Sequence, residues 1–241
     1  NDAPSFTSGG NVTVLEDAGA QTISGWATDI SAGPADEGSQ DLTFSVTSNS
    51  NPALFASAPV LDATTGDLSF TAAADANGTA VLTVVLTDNG GTADGGSDTS
   101  LEGTVTITVT GVNDPPSFTA GSNVTVLEDA GAQTVSGWAT DISAGPSDEA
   151  GQALTFEVTE NSNPALFAVA PAVHGVTGVL TFATAPDAHG TAVVTLQLQD
   201  DGGVADGGSD VSSVRTVTID VTAVNDAPSF TSGGNVTVLE D

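Results

Sequence analysis

Val112-Asn113-Asp114-Pro115-Pro116-Ser117-Phe118 returns as Val224-Asn225-Asp226-Ala227-Pro228-Ser229-Phe230, and Asn1-Asp2-Ala3-Pro4-Ser5-Phe6 opens the chain in the same way. Outward from this stretch the whole sequence repeats without a gap, with a period of 112 residues and roughly 70% of positions identical. A unit of that length is a domain rather than one layer of a solenoid. The reading is therefore repeat 1 over residues 1–112, repeat 2 over 113–224, and the start of a third over 225–241, as expected of an excerpt from a longer tandem array. Repetition multiplies reach and binding sites; it does not assemble one special cleft.

Within a copy, Asn11–Leu15, Gln21–Thr28, Asp41–Thr47, Ala53–Leu61, Asp67–Phe70, Gly78–Thr87 and Gly103–Val109 alternate apolar with polar residues between Gly, Pro, Asn and Asp clusters. Seven short strands in about 110 residues imply an all-β antiparallel Greek-key sandwich. The copies test the facing. Where the first has Val85, Thr87, Ser45 and Thr108, the second has Gln197, Gln199, Glu157 and Asp220, so these positions are expected to face water. Their neighbours Leu42, Phe44, Val46, Leu82, Val84, Leu86, Val105, Ile107 and Val109 then fill the space between sheets.

The chain holds 31 acidic residues against one cation, Arg215, for a net charge of −30. Nucleic acid and anionic lipid need basic surfaces, so neither is expected as a partner. No run reaches the ~20 apolar residues of a membrane span, so direct membrane insertion is not expected. Without cysteine there are no disulfides or thiolate metal sites, and hard-metal ligands remain. The sandwich geometry brings acidic loops to each repeat boundary. Asp141, Asp148 and Glu149 on one loop and Asp200, Asp201, Asp206 and Asp210 on another are expected to meet Asn113 and Asp114, with Glu16, Asp17 and Asp75 coming from the preceding copy. Asp29 and Asp88 are the first-copy counterparts of Asp141 and Asp200, and Glu128, Asp187, Asn225 and Asp226 form the matching set at the next boundary. Converging carboxylates repel unless a hard cation neutralises them, and six to eight flexible oxygen ligands suit Ca²⁺ better than Mg²⁺. The alternative is that these loops are merely solvated. The loop Asp88–Asp98 offers an ion site of its own or a flexible acidic turn.

The ordered set of motifs resembles the cadherin family. Val112–Phe118 resembles the cadherin calcium-binding linker, Val14-Leu-Glu-Asp-Ala-Gly19 its Glu-bearing turn, Ala27-Thr-Asp29 and Leu42–Val46 its second and third strands. Leu61–Leu68 resembles its mid-domain hairpin, and Leu82–Gly91 with Thr104–Val109 its last two strands. The Gly-rich, Lys-free style resembles cadherin-like repeats of large bacterial surface adhesins. The resemblance implies tandem sandwiches in an extended array, Ca²⁺ at the junctions, neighbouring repeats of the same chain as partners, and a location on the bacterial surface or outside the cell. The sequence departs from the family at Gly111 and Ala223, which replace an acidic residue, at the single Asp75 or Asp187 of the mid-domain turn, and at Asp36-Glu37, displaced from Asp29. One or two ions per junction follow from this, rather than three.

Competing functions are a carbohydrate-binding or homophilic module and, more remotely, an enzyme. If Ala27 faces the core, strand parity turns Trp26, and likewise Trp138, outward as a ligand-stacking face, unless Gly25 makes a bulge that flips the ring inward. No catalytic residue is assigned. His174 and His189 replace Asp62 and Asn77 of the first copy, so they serve nothing shared by the array. Adjacent Asp36 and Glu37 lack the cleft-spanning separation of ~5–10 Å that glycosidic carboxylates need. The expected role is a calcium-rigidified spacer, not an enzyme.

Overall fold

The computed structural model describes residues 1–240. The chain forms two compact units. The first comprises Asn1–Asp114, Gly145–Gln152 and Gly202–Asp210; the second comprises Pro115–Ala144, Ala153–Asp201 and the chain from Val211 onward. The loops that follow the fourth and eighth strands of the second repeat thus fold with the first unit, together with Asn113 and Asp114.

The first unit contains β1 (Ser5–Ser8), β2 (Val12–Leu15), β3 (Ala20–Ile23), β4 (Ala27–Ser31), β5 (Thr43–Asn49), β6 (Phe55–Leu61), β7 (Leu68–Ala72), β8 (Gly78–Thr87) and β9 (Gly103–Thr110). They make a four-stranded sheet β2-β9-β8-β5, a three-stranded sheet β3-β7-β6 and a two-stranded pair β1-β4. The second unit repeats this with β10 (Ser117–Ala120), β11 (Val124–Leu127), β12 (Ala132–Val135), β13 (Ala139–Ser143), β14 (Thr155–Asn161), β15 (Phe167–Val173), β16 (Leu180–Thr184), β17 (Gly190–Gln199) and β18 (Arg215–Thr222). Each is an all-β Greek-key sandwich. All ladders are antiparallel except β2 with β9 and β11 with β18, which run parallel. One of the seven expected strands is subdivided: Gln21–Thr28 breaks at Gly25 into β3 and β4. A strand outside the expected seven, β1, pairs with β4, while β2 crosses to β9.

Between the sheets, Leu68, Leu82, Val84, Val105 and Ile107 are almost fully buried, as are Leu180, Val194, Leu196, Val217 and Ile219 in the second unit. Burying each such side chain contributes about 1.5–3 kcal/mol relative to exposure. Leu86 and Val109 are buried too, whereas Leu42, Phe44 and Val46 are half-buried. Phe6 meets Phe44 edge-to-face at 5.0 Å, and Phe118 meets Phe156 likewise at 4.8 Å, tying the first strand to the sheet edge in each unit. Val85 departs from the expected facing: it is 8% exposed, beside the point where Ser100 N–H donates to Leu86 O (2.9 Å).

The tryptophans correct the parity argument. Trp26 and Trp138 are each 3% exposed, inside the core. Gly25 and Gly137 adopt φ +60°, a left-handed step that shifts the alternation by one residue and turns the ring inward. The indole Nε1 then donates to Gly10 O (2.9 Å) or Ser122 O (3.1 Å). A Cβ at Gly9 would lie 2.6 Å from Trp26 O and 2.7 Å from its ring, so glycine is required there. Neither ring is available to stack on a sugar or a neighbouring chain.

Among the described residues, eight non-glycine positions have positive φ, and all are aspartates: Asp17, Asp29, Asp75, Asp94 and their repeat counterparts Asp129, Asp141, Asp187 and Asp206, at φ +46° to +55°. Asp tolerates this region because its short side chain bonds locally.

Candidate metal centre

The turn after β2 places Glu16 and Asp17 side by side but in opposite roles. Glu16 is 2% exposed, and its Oε1 accepts a bond from Val112 N–H at 2.6 Å. Its Oε2 is buried with no hydrogen-bond partner. Asp17 projects to solvent, where its carboxylate joins those of Asp75, from the turn between β7 and β8, and Asp114; one oxygen from each lies within 4.8 Å of the others. On the Asp75 turn, Asn77 Nδ2 donates to Asp148 Oδ2 at 2.6 Å.

The Asn113-Asp114 dipeptide is fixed by the loops of the same unit. Gln152 Nε2 donates to Asn113 Oδ1 (2.7 Å), Asn113 Nδ2 donates to Ser209 O (2.7 Å), and Ser209 N–H returns a bond to Asn113 O (2.8 Å). Asp114 N–H donates to Glu149 Oε1 at 2.9 Å, and a Cβ on Gly145 would collide with Glu149 Oε2. Asp114 is therefore held at the carboxylate group by its backbone while its side chain stays available. Its carboxyl is pushed above its ordinary value by burial first, then by the charges of Asp17, Asp75 and Asp148. Burial likewise raises Glu16; the Val112 N–H opposes this, and Asp148, Asp17 and Asp114 add to it. Burial leads both shifts, and the gathered like charges add to each.

The second unit builds the same arrangement from Asp129, Asp187 and Asp226, whose oxygens also lie within 4.8 Å of one another. Glu128, 4% exposed, accepts from Val224 N–H at 2.5 Å, but its Oε2 faces His189 Nδ1 at 3.3 Å. Asp226 is raised chiefly by Asp187, then by burial, Asp129 and Glu128. Asn225 is exposed and donates to Asp226 O.

A third polar nest surrounds Asn1 in the first unit. Asn1 Nδ2 donates to Asp88 Oδ1 (2.9 Å), Gln40 Nε2 donates to Asn1 Oδ1 (2.8 Å), and Asp2 N–H donates to Glu37 Oε1 (2.9 Å). Asp88 Oδ2, Glu37 Oε2 and Gln40 Oε1 are left buried without partners. Glu37 thus anchors backbone rather than acting in an acid pair with Asp36.

Two expected ligands stand apart. Asp29 and Asp141 are exposed in the irregular stretches of β4 and β13, each taking a bond from the neighbouring Thr hydroxyl, and neither belongs to a carboxylate group found among the described residues. Their left-handed φ turns the side chain away from the course an extended strand would give it. Asp200 is buried at the end of β17 in the second unit. Sequence reasoning missed Gln40, Gln152 and Asn77. The glutamines carried a signal, since both copies keep Gln at this position.

No family model matches the sequence, and no curated protein matches it. Solved structures do. The chain is similar to mouse cadherin-23 EC22-24, with 17% identity over 94% of this chain and 68% of that one, at a TM-score of 0.53. It is also similar to human protocadherin-24 EC1-2, with 17% identity over 93% of this chain and all of that one, at 0.51. The human desmocollin-1 ectodomain aligns at 18% identity over 94% of this chain, which spans 42% of that ectodomain, at 0.43. At such identities the likeness is one of fold, and the fold is cadherin-like. No helix among the described residues is long and apolar enough to cross a membrane.

Proposed function

We propose that the chain is a run of cadherin-like repeats forming a calcium-rigidified extension segment of a bacterial cell-surface or secreted adhesin. One observation carries the calcium reading: the buried, unpartnered Glu16 Oε2 lies beside three carboxylates whose oxygens fall within 4.8 Å of one another. Each of these groups offers hard oxygen and none offers sulfur, which favours Ca²⁺ over softer metals. Glu16, Asp17, Asp75 and Asp114 are the ligands in this reading, with Asp148 close by. Asp129, Asp187, Asp226 and Glu128 serve the second group, and Asp88 with Glu37 a further one around Asn1.

Bound Ca²⁺ would cross-link turns of one repeat to the linker that begins the next, so neighbouring repeats are the immediate partners. The reading has no catalytic step. The competing binding module loses its basis, because the rings it needed are inside the core. The test is solution scattering and calorimetry at constant ionic strength, in millimolar calcium and in excess chelator. A narrower distance distribution and a higher melting temperature with calcium are expected. Identical curves in the two conditions would leave the acidic turns as solvated surface.

A further inference from the structure

The chain contains two Asn-Gly pairs, Asn77-Gly78 and Asn89-Gly90, both in the first copy; the second has His189-Gly190 and Asp201-Gly202 in their places. A following glycine leaves its backbone nitrogen unshielded and free to approach the asparagine Cγ. The two pairs sit in opposite surroundings. Asn89 is held on both sides: its Oδ1 accepts from Asp41 N–H and its Nδ2 donates to Asp41 Oδ2, each at 3.1 Å. The nitrogen that would attack, Gly90 N, already donates to Asp88 Oδ1 at 2.9 Å. Asn77 is exposed on the turn entering β8. Gly78 beside it has φ +125°, with no atom within 4 Å of where a Cβ would stand. The Asn77 amide donates to Asp148 Oδ2 at 2.6 Å and lies against Gly111 of the linker.

We infer that Asn77 is a site of spontaneous deamidation whose product adds a carboxylate to the Asp17, Asp75 and Asp114 group. Gly78 N attacks Asn77 Cγ, a C–N bond forms, the Cγ–Nδ2 bond breaks, and ammonia leaves with the proton from Gly78 N. Water then opens the succinimide at either carbonyl, giving aspartate or isoaspartate. The net change is gain of one water and loss of one ammonia, with no redox partner. The new carboxylate replaces a donor that now satisfies Asp148, so two acceptors face each other where a hydrogen bond stood. The ageing array then needs a cation more at this group than when newly made, while His189 exempts the second group. This consequence rests on the calcium reading; the modification itself does not.

The purified full chain is aged at mildly alkaline pH, cut with a protease specific for acidic residues and mapped by mass. Asn77 should convert at least roughly tenfold faster than Asn89, the margin set by the extra hydrogen bonds of Asn89 and Gly90 N that must open first. Conversion at Asn89 that equals or outpaces Asn77 overturns the inference. So does an unchanged Asn77 while a peptide of residues 73–82 reacts to completion. In a second arm, Asn77→Asp should show a larger calcium-induced rise in melting temperature than wild type. An equal rise refutes the added-carboxylate consequence, and no rise in either protein refutes the calcium reading while leaving the mass result standing.

Discussion

Asp17, Asp75 and Asp114 in the first unit and Asp129, Asp187 and Asp226 in the second come from equivalent positions beside Glu16 and Glu128, which accept the same bond from the second residue past the last strand of each repeat. What differs is the side chain three positions along from the Asp75 equivalent's predecessor: Asn77 in one, His189 in the other. Asn77 turns to Asp148 and leaves Glu16 Oε2 without a partner, whereas His189 brings an imidazole nitrogen to 3.3 Å from Glu128 Oε2. A buried acceptor with no donor costs about 1–3 kcal/mol, more when charged. Under the calcium reading, the first group would take from an outside cation what the second partly supplies from its own chain. Near-identical repeats would then differ in their demand for metal.

The two groups are equivalent only if their scaffolds are, and emptying the cores tests this. Trp26→Ala and Trp138→Ala should each cost about 3–5 kcal/mol in denaturant unfolding, as expected for emptying a buried aromatic site. Unequal losses would mean the cores differ, and the carboxylate groups could no longer be compared directly. Next in size is calcium itself. At ~100 times its dissociation constant, a bound ion adds about 2.7 kcal/mol to the folded state. Chelation should remove that stabilisation from both units by calorimetry. Asp114→Ala should mimic chelation at the first group and spare the second, and Asp226→Ala should do the reverse; loss at both groups from either change would contradict two separate sites.

A smaller effect sharpens the comparison. His189→Asn should increase calcium affinity at the second group and Asn77→His should lower it at the first, each by roughly tenfold, the worth of one hydrogen bond to a charged group. Isothermal titration would show whether the two affinities exchange order. The smallest effect is on pH dependence in chelator. Because Glu16 and Asp114 are raised above 4.5 and 3.8, their contribution to stability is fully present below those values and is lost as pH rises through the raised ones. Asp62, lowered by the N–H groups of Thr65 and Thr64, acts oppositely: its contribution is present above 3.8 and is lost as pH falls. Melting followed from pH 7 downward should therefore rise before it falls, and a monotonic decline would show that burial and crowding do not penalise these charged carboxylates.

The sheets were legible because, Val85 apart, alternation runs along β8 and β9, where Leu82, Val84, Leu86, Val105, Ile107 and Val109 are all buried as read. The carboxylate groups were legible in part, since Asp17, Asp75 and Asp114 follow from which turns share one end of a sandwich. Counting parity failed at Trp26 because it assumes every residue is extended; with Gly25 left-handed, as the bulge alternative required, Trp26 and Ala27 are both buried. Asp29 and Asp141 stand outside the carboxylate groups, each on β4 or β13 with a bond from its neighbouring Thr hydroxyl. Gln40 and Gln152 were passed over because an amide carries no charge to betray it, although it is the amide that grips the linker asparagine.

The eight left-handed aspartates have a consequence for anyone remodelling such a chain. Asparagine occupies that backbone region as readily as aspartate and occupies nearly the same volume, yet it is neutral. At Asp29, Asp94, Asp141 and Asp206, which lie outside the carboxylate groups, colloidal character and folding are thus governed by separable choices. A library that varies only Asp against Asn there would span a range of electrophoretic mobility and ion uptake on one unchanging trace, letting solubility be tuned without redrawing a single turn.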